Sequence, residues 1–128
     1  MKISHLDHLV LTVANIEKTC EFYSEILGMD IVTFEKNKKA LQFGTQKINL
    51  HQFKQETFPK ARNSTPGSAD LCLITLTPLD EVLQELTEKN IPVLEGGITE
   101  RIGSTGKINS IFFRDPDLNL IAVSNYIS

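Results

Sequence analysis

One pattern occurs twice in this chain, and the second copy lies sixty-two residues after the first. The first copy is Leu6 to Gly28, LDHLVLTVANIEKTCEFYSEILG, and it reads as strand, cap, helix and stop. Asp7 to Val13 is mostly apolar and β-branched or Leu, as a strand requires. Asn15 suits an N-cap, because its short side chain accepts an orphan helix N–H. Ile16, Cys20, Tyr23, Ile26 and Leu27 recur at helical spacing and make one apolar face. Gly28 stops the helix, since glycine tolerates the left-handed conformation. At the same offset His8 falls on Asp70, Asn15 on Thr77, Gly28 on Asn90 and Ile31 on Val93. Thr77 is again a capping residue, Pro78 suits a first helical position, and Asn90 visits the left-handed region easily. The chain therefore reads as two diverged copies of one β-α-β unit.

After Gly28, Met29 to Glu35 alternates as a strand, Lys36 to Lys38 turns, and Lys39 to Gly44 returns. Lys47 to Gln52 follows as a third strand. Phe53 to Ser68, with Pro59, Asn63, Pro66 and Gly67, is a linker of a length that is often functional. The second half repeats the order: strand Ala69 to Leu76, helix Leu79 to Lys89, strand Ile91 to Glu95, strand Lys107 to Arg114, the DPD turn at Asp115, and strand Asn119 to Tyr126. The glycines at 96, 97, 103 and 106 predict a hairpin that is longer and looser than its counterpart. The expected class is α+β: two βαβββ modules in one 128-residue domain. Module one covers about 5–53, the linker 54–68 and module two about 69–127.

A net charge of −3 gives no basic surface for nucleic acid. Lys36, Lys38 and Lys39 cluster, but as a hairpin tip. No apolar run approaches the ~18–20 residues that span a bilayer, and MKISHLDHL lacks a signal-peptide apolar core. Cys20 and Cys72 have no metal-like spacing and read as free thiols, which predicts a cytoplasmic protein.

Each helix covers one face of its sheet and leaves the other open, to be closed by the other half or by another chain. Strand alternation puts His8, Val10 and Thr12 on the open side, with Lys47, Asn49 and His51. In the second half it puts Asp70, Cys72 and Ile74 there, with Leu120, Ala122, Ser124 and Tyr126. Two imidazoles and a carboxylate on such a face suggest a divalent metal (Zn, Ni, Mn or Fe) on His8, His51 and Asp70. Asp70 would be ligand or base, and Thr12, Asn49, Ala122, Ser124 and Tyr126 would line the cleft. Blander roles are open to each: His8 as a hydrogen-bonded strand residue, His51 as a surface strand end, Asp70 as a turn cap. Likewise Arg114 is a candidate salt-bridging turn residue, and Phe112 and Phe113 candidate packing residues.

DHLVLTV, EFYSEILGM and the late FFRDPDLNLIAVSNY resemble the vicinal oxygen chelate superfamily of glyoxalases, bleomycin-resistance proteins and extradiol dioxygenases. Within it, the KALQFG, KINLH and PGSADLC run is most similar to the glyoxalase domain-containing protein 5 group. The resemblance implies paired βαβββ modules, a homodimer and a small-molecule cleft. It also implies a metal histidine at His8 and a second ligand at Asp70. The glutamate that glyoxalase I takes from the third sheet strand is here Asn49, with His51 two residues on. The last-strand glutamate of the metal-dependent branches falls on Ala122, whose methyl group neither binds metal nor moves a proton. Two main readings follow: a metal-dependent lyase or dioxygenase acting as a Lewis acid on an oxygen-rich substrate, or a metal-free binding protein of the bleomycin-resistance type. A degenerate homologue kept for another interaction is the third.

Overall fold

The computed structural model describes residues 1–127. Both halves have the order β-α-β-β-β. The first comprises β1 (Leu9–Val13), α1 (Ile16–Glu25), β2 (Asp30–Phe34), β3 (Lys38–Phe43) and β4 (Gln46–Gln52). The second comprises β5 (Asp70–Ile74), α2 (Leu79–Glu88), β6 (Thr99–Gly103), β7 (Gly106–Arg114) and β8 (Leu120–Tyr126). Each forms a four-stranded mixed sheet, in the orders β1-β4-β3-β2 and β5-β8-β7-β6. The first strand pairs parallel with the last, and the other pairings are antiparallel. The two halves form separate compact units, one of Met1–Ser68 and one beginning at Ala69.

Local chemistry explains α1. Asn15 is extended, and its side chain accepts a hydrogen bond from the Lys18 N–H at 3.0 Å. Gly28 takes φ +67° and donates to the Ser24 carbonyl at 3.1 Å, which ends the helix. Thr19, Cys20 and Tyr23 are its buried residues. They face the side of the sheet that carries Leu11, Leu41, Ile48 and Leu50, all buried. In the second unit Leu79, Val82 and Leu86 of α2 are buried, as are Ile111, Phe113, Ile121 and Val123 of the sheet. Asn90 takes φ +58°, the stop expected of it.

The start of α2 differs from expectation. The helix begins at Leu79, Pro78 occupies the cap position, and no side chain of the cap residue bonds there. The cap comes instead from β8: Asn125 Oδ1 accepts from the Leu79 N–H at 3.1 Å, and Nδ2 donates to the Thr75 and Thr77 carbonyls at 2.9 and 3.0 Å. The first unit has the same clasp. Gln52, at the end of β4, accepts from the Ile16 N–H at 3.2 Å and donates to the Ala14 carbonyl at 2.6 Å. An amide on the last strand thus ties each helix start to its sheet.

Residues 91–95, expected as a strand, are irregular, and the strand in that role is β6, further on. Pro92 has no N–H for a ladder. Glu95, Gly96 and Gly97 take positive φ, and the Leu94 N–H donates singly to the Phe112 carbonyl at 2.8 Å. The extra residues therefore precede β6. The β6–β7 hairpin is tight, with Gly103 paired to Gly106.

The DPD turn is a hydrogen-bonded knot. Buried Asp115 accepts from the Asp117 and Asn119 backbone N–H groups at 2.9 Å each, and from Asn119 Nδ2 at 2.8 Å. Fully buried Asn119 in turn accepts from the Ala69 N–H at 2.8 Å, which anchors the start of β5.

Candidate functional site: the helix-free sheet faces

In the first unit the β1–β4 register pairs Val10 with Asn49 and Thr12 with His51. His8 sits just ahead of β1. Its Nδ1 lies 2.8 Å from Asp7 Oδ2, and its side chain is 38% exposed. The hydrogen bond from His8, and then its charge, hold the Asp7 carboxyl below the usual carboxylate range. Asn49 lies diagonally across from His8, and its Oδ1 is buried with no hydrogen-bond partner among the described residues. His51 stands half-buried beside buried Thr12, four register positions from His8. At roughly 3.3 Å per residue that is about 13 Å along the strands. Donor atoms on one ion lie only about 3–3.5 Å apart. The register therefore pairs Asn49 with Val10 and His51 with Thr12, and leaves His8 ahead of β1, away from His51.

Glu56 was not legible as a site residue, because it falls in the stretch expected as a linker. The turn after β4 returns it: Lys54, at φ +68°, donates its N–H to Glu56 Oε2 at 3.0 Å, and Lys60 Nζ lies 3.8 Å from Oε1. The side chain is only 4% exposed. Burial pushes the carboxyl up. The backbone N–H groups of Glu56 and Lys54 and the charges of Lys60 and His51 oppose this, and the net effect is a lowered pKa. A depressed folded pKa means that the carboxylate favours the folded state above its ordinary value of 4.5, and that this is lost as pH falls through the folded value. Glu56→Gln is therefore expected to be less stable than the parent at pH 7, with the gap closing below pH 4.5. Urea midpoints measured from pH 7 to pH 3 check this; a gap that widens on acidification contradicts it.

In the second unit the helix-free face carries a row of hydroxyls beside Ile108, Phe112 and Leu120. Asp70 pairs with Leu120, Cys72 with Ala122 and Ile74 with Ser124, and Asp70 and Cys72 are exposed. Ser124 and Ser110 are cross-strand partners with Oγ atoms 2.7 Å apart, both buried, and Cys72 Sγ lies 3.5 Å from Ser124 Oγ. Ala122 is buried between Cys72 and Phe112 in register. Tyr126 Oη accepts a long hydrogen bond from the Thr105 N–H at 3.4 Å, so its phenol is held at the β6–β7 hairpin. On β6, Thr99 pairs with Ser110 and Arg101 with Ile108, and the Arg101 guanidinium lies 5.3 Å from the centre of the Phe112 ring. Arg101 and Thr99 were missed in the sequence because β6 was expected eight residues earlier.

Among the described residues no group of three or more His, Cys, Asp and Glu side chains is placed to hold a metal ion. The donors at hand explain this. His8 bonds the neighbouring Asp7 carboxylate, His51 is paired in register with Thr12, and Asp70 is followed along its face by Cys72 beside the methyl of Ala122. Within the first unit His8 and His51 stand apart along the strands.

Two β-α-β-β-β units, each a four-stranded mixed sheet with a helix on one face, define a protein of the glyoxalase type. Residues 5–123 match the Glyoxalase/Bleomycin resistance protein/Dioxygenase superfamily, and the chain belongs to it. It is 55% identical over 127 residues to virulence protein STM3117 of Salmonella typhimurium strain LT2, covering 99% of this chain and 88% of that one. The crystal structure of STM3117 superposes with a TM-score of 0.96, over 99% of this chain and 100% of the other. Glyoxalase domain-containing protein RDO1 of Mycosarcoma maydis is 46% identical over 98% of this chain and 70% of its own. TnmS3, an antibiotic binding protein from Streptomyces sp. CB03234, is similar at 25% identity and a TM-score of 0.75, over 99% of each chain. No helix among the described residues is long and apolar enough to cross a membrane.

Proposed function

We propose that this chain binds a small organic molecule on its helix-free sheet faces without a resident metal. Buried Ala122 carries the reading. It stands where the resemblance expects the last-strand glutamate of the metal-dependent branches, and it offers only a methyl group. The separation of His8 from His51 supports it, as does the likeness to an antibiotic binding protein. The reading assigns no lyase or dioxygenase step. It places the chain beside the glyoxalase domain-containing proteins, supported by the RDO1 likeness. It also takes the active form to be a cytoplasmic homodimer, supported by the free thiols Cys20 and Cys72 and by the habit of the superfamily.

Thermal-shift screening against natural-product antibiotics and small organic acids tests it, beside metal analysis of protein purified without a His tag. A ligand at 100 times its Kd adds about 2.7 kcal/mol, which is several degrees of Tm. The expected result is such a shift, unchanged by EDTA, in protein carrying far less than one metal per chain. Near-stoichiometric metal that is lost in His8→Ala, or binding abolished by EDTA, overturns the reading and restores His8, His51 and Asp70 as ligands.

A further inference from the structure

We propose that the β6–β7 end of the second unit's helix-free face is a recognition site for a small carboxylate carried on an apolar body, held by Arg101 and Thr99. This rests on the small-molecule reading and names the ligand class.

The hydroxyls come first. Thr99, Ser110 and Ser124 form one cross-strand row over β6, β7 and β8. Ser110 and Ser124 satisfy each other, and Cys72 reaches Ser124. Thr99 Oγ1 is buried and has no hydrogen-bond partner among the described residues. A buried polar atom left so costs free energy unless a guest pairs with it.

Arg101 stands two residues further along the same face of β6, about 7 Å away. One Nη1 N–H donates to the Glu100 carbonyl at 2.9 Å, and a guanidinium has five N–H donors. Its position over Phe112 restrains the fork without neutralising it. The nearby acids do not cancel this charge. Glu100 alternates to the other face and lies 3.6 Å from Lys107 Nζ. Asp70 is on β5, at the opposite edge of the sheet, roughly 14 Å away at ordinary strand spacing. Ala122, Ile108 and Phe112 give the floor its apolar part. A planar fork and a lone hydroxyl donor, side by side above apolar groups, match a carboxylate with a small hydrocarbon body.

Benzoate is the probe and benzamide its neutral control, each titrated into the full ¹⁵N-labelled chain by NMR. Benzoate is expected to move the Thr99, Arg101, Ser110 and Phe112 amides saturably, with benzamide at least about tenfold weaker. Arg101→Gln should weaken benzoate at least tenfold and leave benzamide unchanged. Thr99→Val should weaken benzoate while leaving Tm equal or higher, because it removes an unpaired hydroxyl; a plain folding defect would lower Tm instead. Equal binding of acid and amide, or saturable shifts confined to the first unit, overturn the carboxylate site and leave the small-molecule reading standing. Neither benzoate nor any screened compound binding overturns both.

Discussion

Asp115→Ala is expected to cost the protein about 3–4 kcal/mol, read as a fall in urea midpoint at unchanged m-value. Three hydrogen bonds end on this carboxylate, all between 2.8 and 2.9 Å. The loss is larger than their count suggests, because two of the three donors left behind are buried. Asn119 is fully buried, and its Nδ2 and backbone N–H would both lose their acceptor. Its Oδ1 also holds the Ala69 N–H, so a disturbed Asn119 loosens the start of β5 fifty residues earlier in the chain. Asp115→Asn keeps the shape and one acceptor oxygen and should cost less than half as much. Equal stability of the parent and the alanine variant would show that the turn holds without its carboxylate.

Asn125→Leu is expected to cost about 2–3 kcal/mol, from losing a helix cap and stranding two carbonyls. The replacement has the same number of side-chain heavy atoms and the same branching, so the loss reports hydrogen bonding more than a cavity. It uncaps the Leu79 N–H and frees the carbonyls of Thr75 and Thr77. Gln52→Leu tests the equivalent clasp and should cost somewhat less, since it breaks two bonds rather than three. Thr77→Ala discriminates between the expected and observed caps. It should be nearly neutral, because the Asn125 bond uses the Thr77 carbonyl and not its hydroxyl. A loss in Thr77→Ala comparable to that in Asn125→Leu would restore Thr77 as the cap.

The features that could be read early are those in which a residue acts on its near neighbours. Asn15 caps a donor three residues on, and Gly28 and Asn90 end helices through their own backbone freedom. Alternation along β1, β4, β5 and β8 assigns Leu11, Ile48, Ile121 and Val123 to the helix side, because a strand has no other way to point successive side chains. The repeat required the same topology twice, and both sheets have it.

The site was legible as a face and not as a constellation. Alternation along β1 and β4 expects His8 and His51 on one face, but says nothing of how far apart adjacent strands set two residues. That distance is a property of register, and the register pairs His51 with Thr12. Glu56 looked like linker because its burial depends on a turn at Lys54 with a left-handed backbone, at a residue with no glycine to announce it.

By itself, then, the sequence determined two β-α-β-β-β units, their helix faces, their helix stops, and Ala122 as a position without a ligand atom. Tertiary structure decided where β6 lies, which amide caps each helix, and which polar groups meet: Thr99 near Arg101, Ser110 with Ser124, His51 beside Thr12. The division follows from range. Caps, turns and periodicity are set by interactions within a few residues, which a local pattern records. Register and long-range hydrogen bonds are set by which strands pair and at what offset, and residues on different strands, far apart in the chain, carry no local mark of the partner they will meet.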